Sequence, residues 1–392
     1  MKFCINPLLA ATDAPPIPEV QGWAAGRKPG DPPTIDLLQA VPGYPPDPSL
    51  TAYLAEKVMD FGMSLYTPIQ GTSGLRGAFA AEISTTYGAP VEPDQVCITA
   101  GCNQAFYAAM IALARAGDNV ILPTPFYFNH QMTLDMLGLQ ARHLQAREQN
   151  GFVPDPDEAT ALLDGGTRAL VLVTPNNPTG AVYPPEILER FFDLAASRRI
   201  ALILDETYRD FLPLTQSRAH DLFLRPEWHD TLIHLYSFSK AFSLAGYRVG
   251  ATVASARFVG QVLKIMDCLV ICAPHISQVA AQFGVERLTQ WREQKRVLMA
   301  GRINAFRRAL TARAGQWVIG SIGAYFAYLR HPFEKLSSIQ AAKRLADRQS
   351  LLCLPGSAFG PGQERYLRAA FANIESSQMT DIAHRLALSA EP

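Results

Sequence analysis

The sequence predicts an α/β fold: a mainly parallel sheet with helices on both faces, followed by a smaller α+β domain. Three observations carry this reading. Between about Thr51 and Arg287, short apolar runs alternate with helical patterns, as strand–helix–strand units do. After about Glu286 the alternation gives way to one long helical pattern and a group of short strands. The chain also has 392 residues, 48% of them hydrophobic, which is more than one compact core usually takes up. We therefore divide the chain into an N-terminal segment (1–50), a large α/β domain (51–286) and a small α+β domain (287–392).

The N-terminal segment is rich in proline, with Pro15, Pro16 and Pro18, then Pro42, Pro45, Pro46 and Pro48. Proline lacks an amide hydrogen and restricts the residue before it, so the segment is expected to run extended and pack with the small domain. Strands are expected at VCIT (Val96 to Thr99), NVIL (Asn119 to Leu122), ALVLV (Ala169 to Val173), ALIL (Ala201 to Leu204) and TLIHL (Thr231 to Leu235). Runs such as NQAFYAAMIALARAG and PPEILERFFDLAASRR supply the helices between them. Continuous apolar strands of this kind are buried on both faces, and in such sheets ligands bind beyond the carboxyl ends of the strands. A long helix follows, with apolar Val297, Ile303, Phe306 and Leu310, and its basic cluster from Arg292 to Arg313 reads as a solvated face. Then come the strand-like AYFAYL, a helix near Ser338 to Arg348, the strands LLCLP and YLRAAF, and a last helix.

Charge and cysteine content exclude several functions. Lys plus Arg number 35, as do Asp plus Glu, so no net charge draws the chain to nucleic acid or to an anionic membrane. No apolar run is long enough to span a bilayer. The opening MKFCINPLLAATDA is broken by Asn6 and Pro7 and lacks a signal-peptide core, so the expected location is cytoplasmic. Cys268 and Cys272 lie four apart without a second pair at metal spacing, so the six cysteines read as free thiols and no metal is expected.

Four stretches carry chemistry. In YSFSKAFSLAGYRVG, Lys240 sits among Ser237, Ser239, Ser243 and Gly246 after an apolar strand, with Arg248 eight residues on. Desolvation and neighbouring cations lower a lysine's pKa and make its amine nucleophilic toward carbonyls, while hydroxyls and an arginine suit a phosphate. A loop lysine is the plain alternative. In LILDETYRDF, Asp205 ends a wholly apolar strand, so it is either a helix-capping carboxylate or the partner of a buried positive group. Glu206 is taken as a cap. In VTPNNPTG, Asn176, Asn177 and Pro178 leave a strand in a tight turn. In ITAGCNQAFYAAM, Gly101, Cys102 and Asn103 open a helix, where free amides can hold an anion.

Eight stretches, in this order and spread over nearly the whole chain, resemble fold-type I enzymes dependent on pyridoxal 5′-phosphate (PLP), specifically class I/II aminotransferases. They are LYTPIQGTSGLR, TAGCNQA, PTPFY, PNNPTG, LDETY, SFSKAFSLAGYRVG, PGSAFG and YLRAAFA. The resemblance implies a seven-stranded sheet, PLP as cofactor, amino acid and 2-oxo acid substrates, and a homodimer with composite sites. Residue by residue, Lys240 matches the Schiff-base lysine that later shuttles the substrate's α proton. Asp205 matches the partner of the pyridine nitrogen, and Asn177 and Tyr208 match the hydrogen bonders to the ring 3′ oxygen. Tyr127, rather than Phe126, matches the stacking aromatic. Gly101, Cys102, Asn103, Ser237 and Arg248 match the phosphate shell. Tyr66 matches a tyrosine that reaches the partner subunit's phosphate, and Arg368 matches the grip on the substrate carboxylate.

Two positions depart from the family. Ala40 stands where a glycine usually meets the substrate carboxylate, with Gly43 nearby, and Cys102 is a minority choice at its position. The leading function is transamination. Elimination or replacement at the β or γ carbon, cyclisation, decarboxylation and oxidation are open to the same site. A non-catalytic PLP-binding regulator is disfavoured by the short proline-rich N-terminus, and a dinucleotide-binding protein by the lack of a GxGxxG turn. A dicarboxylate substrate would want a second arginine, for which Arg27 and Arg76 are candidates.

Overall fold

In chain order the strands are β1 (Ile35–Asp36), β2 (Val96–Thr99), β3 (Asn119–Thr124), β4 (Gln140–Gln145), β5 (Thr167–Val173), β6 (Ala201–Asp205), β7 (Leu232–Ser237), β8 (Gly250–Val253), β9 (Val318–Gly323), β10 (Phe326–Arg330), β11 (Leu351–Leu352), β12 (Leu354–Pro355) and β13 (Tyr366–Ala370). The computed structural model describes residues 3–24 and 32–390. Seven strands form one sheet in the order β2-β8-β7-β6-β5-β3-β4. Pairing is parallel throughout except at β8, which runs antiparallel to both neighbours.

Side chains of the central strands alternate between two buried faces. Val120, Leu122, Val171, Ile203 and Leu235 pack with Ala105, Phe106 and Ala109 of the helix Cys102–Leu113. Ile121, Leu170, Leu172, Leu202 and Leu204 pack with Phe79 and Ile83 of the helix Ser73–Tyr87 and with Phe191 and Phe192 of the helix Pro185–Arg198. With both faces covered, nothing polar is required along the strands, hence their unbroken apolar sequence. Each fully buried Leu, Ile or Phe contributes roughly 1.5–3 kcal/mol.

A second, antiparallel sheet, ordered β12-β13-β10-β9, packs on the helices Thr289–Arg313, Ser338–Gln349 and Met379–Ser389 around its own core. Strands β1, β4, β8 and β9 are additional to the sequence reading. The edge strand β4 is QARHLQ, with only Leu144 fully buried, so it had no need of an apolar run.

The N-terminal segment differs from the extended course expected of it. Helices span Pro7–Ala11, Pro16–Trp23 and Pro48–Lys57. Each begins on a proline, at the one helical position where a missing amide hydrogen costs nothing. Asn6 and Asp47 cap the first and third by accepting from Leu8 N and Ser49 N. The segment packs on distant parts of the chain: β1 forms a separate two-stranded parallel sheet with β11, while the helix Pro7–Ala11 lies against the helix Phe128–Met136. The basic cluster of the long helix is only in part a solvated face: Arg307, Arg308 and Arg313 are exposed, but Arg292 and Arg302 are not. Arg292 pairs with Glu82 at 2.9 Å and with Asp210 at 3.3 Å, and the buried Arg302 bonds Glu375 at 2.6 Å and the carbonyl of Ala372. Opposing carboxylates and carbonyls, invisible in the helix's own sequence, make this burial tolerable.

Candidate active site

Five chain segments leave the carboxyl ends of neighbouring strands and converge there. Strand β6 ends on Asp205, and β7 ends on Ser237 before the short helix Phe238–Ala241 that carries Lys240. Strand β5 leads into the turn with Asn176 and Asn177, β3 into Tyr127, and β2 into Gly101 and the helix Cys102–Leu113. Arg368 reaches the same place from β13 of the other sheet. Together they enclose a cavity of about 230 Å³, lined among others by Ala40, Cys102, Asn103, Tyr127, Asn177, Asp205, Tyr208, Ser237, Lys240, Arg248 and Arg368.

Asp205 is buried, and each of its oxygens is engaged. One accepts from Thr207 N at 2.9 Å and Thr207 Oγ1 at 2.7 Å, and the other lies 3.5 Å from His130 Nε2. Burial pushes its carboxyl pKa up, but the bonds from His130 and Thr207 outweigh that and hold it below the usual range. Asp205 therefore caps no helix: its bonds from Thr207 close a turn, and the residue lines the cavity. Lys240 Nζ donates to the Ala40 carbonyl at 2.5 Å. Burial, then the charges of Arg248 and Arg368, lower its pKa to about 8, so a minority of the amine, far more than for an ordinary lysine, is neutral near physiological pH.

Arg368 is buried between Phe326 and Phe359, its guanidinium carbon 5.2 Å from each ring. Its two terminal nitrogens donate to Asn177 Oδ1, at 3.1 Å, and to the Leu38 carbonyl. Burial lowers its pKa to about 10, which leaves it charged at neutral pH. Burial likewise pushes the Tyr127 phenol up to about 12, against a hydrogen bond with Asn103, and raises Tyr208 well above the phenol range.

Gly101 takes φ 87° and has no space for a side chain: a Cβ there would collide with the Arg248 guanidinium. That close approach sets an arginine against the opening amides of a 12-residue helix, the arrangement an anion needs. Ser239 Oγ and Arg368 Nε are buried without a hydrogen-bond partner among the described residues, and both residues line the cavity. An anion cradle, a flat space beside Tyr127, a carboxylate and a partly neutral amine fit a phosphorylated aromatic aldehyde. Among the described residues, no group of three or more His, Cys, Asp or Glu could hold a metal ion, and no helix is long and apolar enough to cross a membrane.

Tyr66 is not brought to this cavity. It lies in the segment after Phe61–Ser64, and 77% of its surface is exposed. Arg76 does not line the cavity either, because its guanidinium is held by the carbonyls of Gly71 and Pro93 at 3.2 and 2.8 Å. Arg27 lies outside the described residues. Several lining residues escaped the sequence reading, namely Ile17, Val41 and Phe128, as did His130 behind Asp205. Thr207 lay within the LDETY stretch and could have been found there. His130 belongs to no quoted stretch and is identified by its partner alone.

A lysine after one strand, a carboxylate ending the next, an anion cradle and a carboxylate-sized guanidinium fork, on a mainly parallel seven-stranded sheet, define a fold-type I PLP-dependent enzyme. The sequence profile of class I and II aminotransferases matches residues 43–386, and the chain belongs to that family. An aspartate aminotransferase of Pyrococcus horikoshii is 29% identical over 323 residues, 81% of each chain. An aromatic aminotransferase of Arabidopsis thaliana is 28% identical over 359 residues, 90% of this chain and 88% of that one. Among solved structures, an aspartate aminotransferase of Thermotoga maritima superposes with a TM-score of 0.88 at 25% identity, covering 98% of this chain and 100% of the other. One from Thermus thermophilus, solved with maleate, shares the fold with a TM-score of 0.89 at 24% identity, covering 99% of this chain and 100% of that one. The protein is an aminotransferase, an enzyme that moves an amino group between an amino acid and a 2-oxo acid.

Proposed function

We propose that Lys240 carries PLP on its ε-amine and that the residues around the cavity divide the work of amino-group transfer between them. The observation that carries this is the meeting of Lys240, Asp205 and Arg368 in one cavity at the carboxyl ends of the strands. Bound there, the cofactor supplies an electron sink for the bond broken at the substrate's α carbon.

Lys240 would take the proton from that carbon and return it two atoms away, at the cofactor's aldehyde carbon, which its lowered pKa favours because the neutral amine is the base. Asp205, kept ionised by His130 and Thr207, holds a proton on the pyridine nitrogen. Asn177 and Tyr208 hydrogen-bond the ring's 3′ oxygen, and Tyr127 covers the ring face. Gly101, Cys102, Asn103, Ser237 and Arg248 hold the phosphate, supported by the close approach of Arg248 to Gly101. Arg368 grips the substrate carboxylate with its planar fork, and the backbone at Ala40 borders the same group.

The working unit in this reading is a homodimer. Val58, Met59, Phe61, Leu65 and Tyr66 form an exposed apolar run, and Leu269 and Ile271 are exposed nearby in sequence to His275, whose Nδ1 lies 3.0 Å from the Gly62 carbonyl. Covered by a second copy, this run would carry Tyr66 to the partner's phosphate. All six cysteines are unpaired, which supports a reducing, cytoplasmic setting. The test is chemical. Borohydride treatment of the yellow holoenzyme should fix the cofactor to the peptide containing Lys240, and Lys240→Ala should abolish both labelling and turnover. Labelling of any other lysine would refute the assignment.

A further inference from the structure

Asp205 is followed by a second buried carboxylate on the opposite face of the sheet. The sequence suggested a helix cap for Glu206, but the structure gives it a different setting. Glu206 is completely buried. Its Oε2 accepts from the Tyr87 hydroxyl and, at 2.8 Å, from His234 Nε2, while its Oε1 lies 3.6 Å from His220 Nε2. The His220 ring accepts the Leu222 amide hydrogen on Nδ1 at 3.1 Å, so its proton sits on Nε2 and points toward Glu206. Tyr87 stacks on His220 with ring centres 4.5 Å apart, closing the cluster. None of these four residues lines the catalytic cavity.

Among the described residues no arginine or lysine hydrogen-bonds this buried anion, although the charge of Arg209 acts on it together with His220 and His234; packing alone would be served as well by an uncharged residue. What distinguishes this position is its covalent neighbour. The peptide that joins the two carboxylate residues is pinned at both ends: Thr174 N donates to the Asp205 carbonyl at 3.0 Å, and Glu206 N donates to the Leu235 carbonyl at 2.9 Å. Strand β6 thus ends in two carboxylates, one facing the cavity and one locked into a hydrogen-bonded cluster behind it.

We propose that Glu206 is a positioning residue for Asp205: its cluster with Tyr87, His220 and His234 anchors the end of β6 and so fixes the carboxylate that meets the cofactor's ring nitrogen. The inference rests on the role of Asp205 given above. Glu206 touches neither substrate nor cofactor. Its effect runs through the orientation and field of its neighbour, as outer-shell ligands act on metal centres.

The experiment is a double-mutant cycle on the whole enzyme. Glu206→Gln keeps the shape and the acceptor oxygen but removes the charge and loosens the clamp. Three quantities are read for it, for Asp205→Asn and for the double variant: the dissociation constant for PLP, the pH titration of the visible band of the bound cofactor, and the melting temperature of the cofactor-free protein. In the native background Glu206→Gln should weaken PLP binding on the order of tenfold and displace the titration of the band. In the Asp205→Asn background the same change should cost less than about twofold, because the route through Asp205 is already cut. An equal factor in both backgrounds, or a lowered melting temperature with PLP binding and spectrum unmoved, would overturn the proposal and leave Glu206 a fold residue. If instead Asp205→Asn alone leaves affinity and spectrum unchanged, the assignment of Asp205 fails and takes the proposal with it. Should Glu206→Gln not fold, Tyr87→Phe removes a single donor to Glu206 and must show the same background dependence.

Discussion

Replacing Arg368 by lysine keeps a positive charge in the site and removes the shape of the group that bears it. The guanidinium is a planar fork, aligned by Asn177 Oδ1 at 3.1 Å and the Leu38 carbonyl and held between two phenyl rings at 5.2 Å. A lysine ammonium has no fork, cannot serve Asn177, Leu38 and a carboxylate together, and stacks less well between Phe326 and Phe359. A hydrogen bond to a charged group is worth about 1.5–3 kcal/mol, which corresponds to roughly a ten- to 150-fold loss in affinity. We therefore expect the dissociation constant of an unreactive α-carboxylate inhibitor, and KM for amino acids, to rise by that factor in Arg368→Lys. An amine that differs from the substrate only in lacking the carboxylate should change by less than about threefold, since it never used the fork. The assay is steady-state turnover beside spectral titration with both ligand types, and circular dichroism checks the fold. Equal losses for the two ligands would show that Arg368 acts through packing, and the carboxylate grip would have to be sought elsewhere.

Three further outcomes follow from the site. Asp205→Asn removes the charge facing the ring nitrogen while leaving an acceptor for Thr207, and stopped-flow turnover should show the α-proton step slowed by at least about 10²-fold; near-native turnover would contradict the role. Capture of PLP by cofactor-free enzyme requires the neutral Lys240 amine, whose pKa is lowered from 10.5 to about 8. The capture rate should therefore climb with pH and level off above about pH 8 rather than above 10, and Arg248→Gln, which removes a repelling cation, should move that midpoint upward; an unshifted midpoint near 10.5 would refute the lowered pKa. Finally, an equimolar mixture of Lys240→Ala chains with inactive Tyr66-substituted chains should regain about one quarter of native activity, because half of the dimers are mixed and each holds one intact site. Mixed dimers without activity would confine Tyr66 to its own subunit.

Much of this site could be read from the chain because its residues sit at punctuation points. Asp205 ends a strand, and Lys240, Asn177 and Gly101 lie within four residues of a strand end, where an apolar run gives way to polar residues, and the parallel sheet then places all such points on one edge. The residues that were missed owe their place to contacts between distant segments. His130 comes from a helix with no telling pattern, Ile17 from a helix predicted as extended chain, and Glu206 looked like a cap because its partners Tyr87, His220 and His234 lie far along the sequence. The edge strands β4 and β9 went unseen for a related reason, since a strand at an edge needs no apolar run to hold its place; β8 is wholly buried but short, with Gly250 and Thr252 interrupting its apolar residues.

The sequence by itself determined the class of fold and the family, since period, strand-end chemistry and motif order are local properties written along the chain. Tertiary structure alone decided which charges are buried. Arg292 and Arg302 looked solvated and Glu206 looked like a surface cap, yet each is enclosed with partners that only folding supplies. A charge enters a protein interior when groups from elsewhere in the chain compensate it, and no local pattern records where those groups will be.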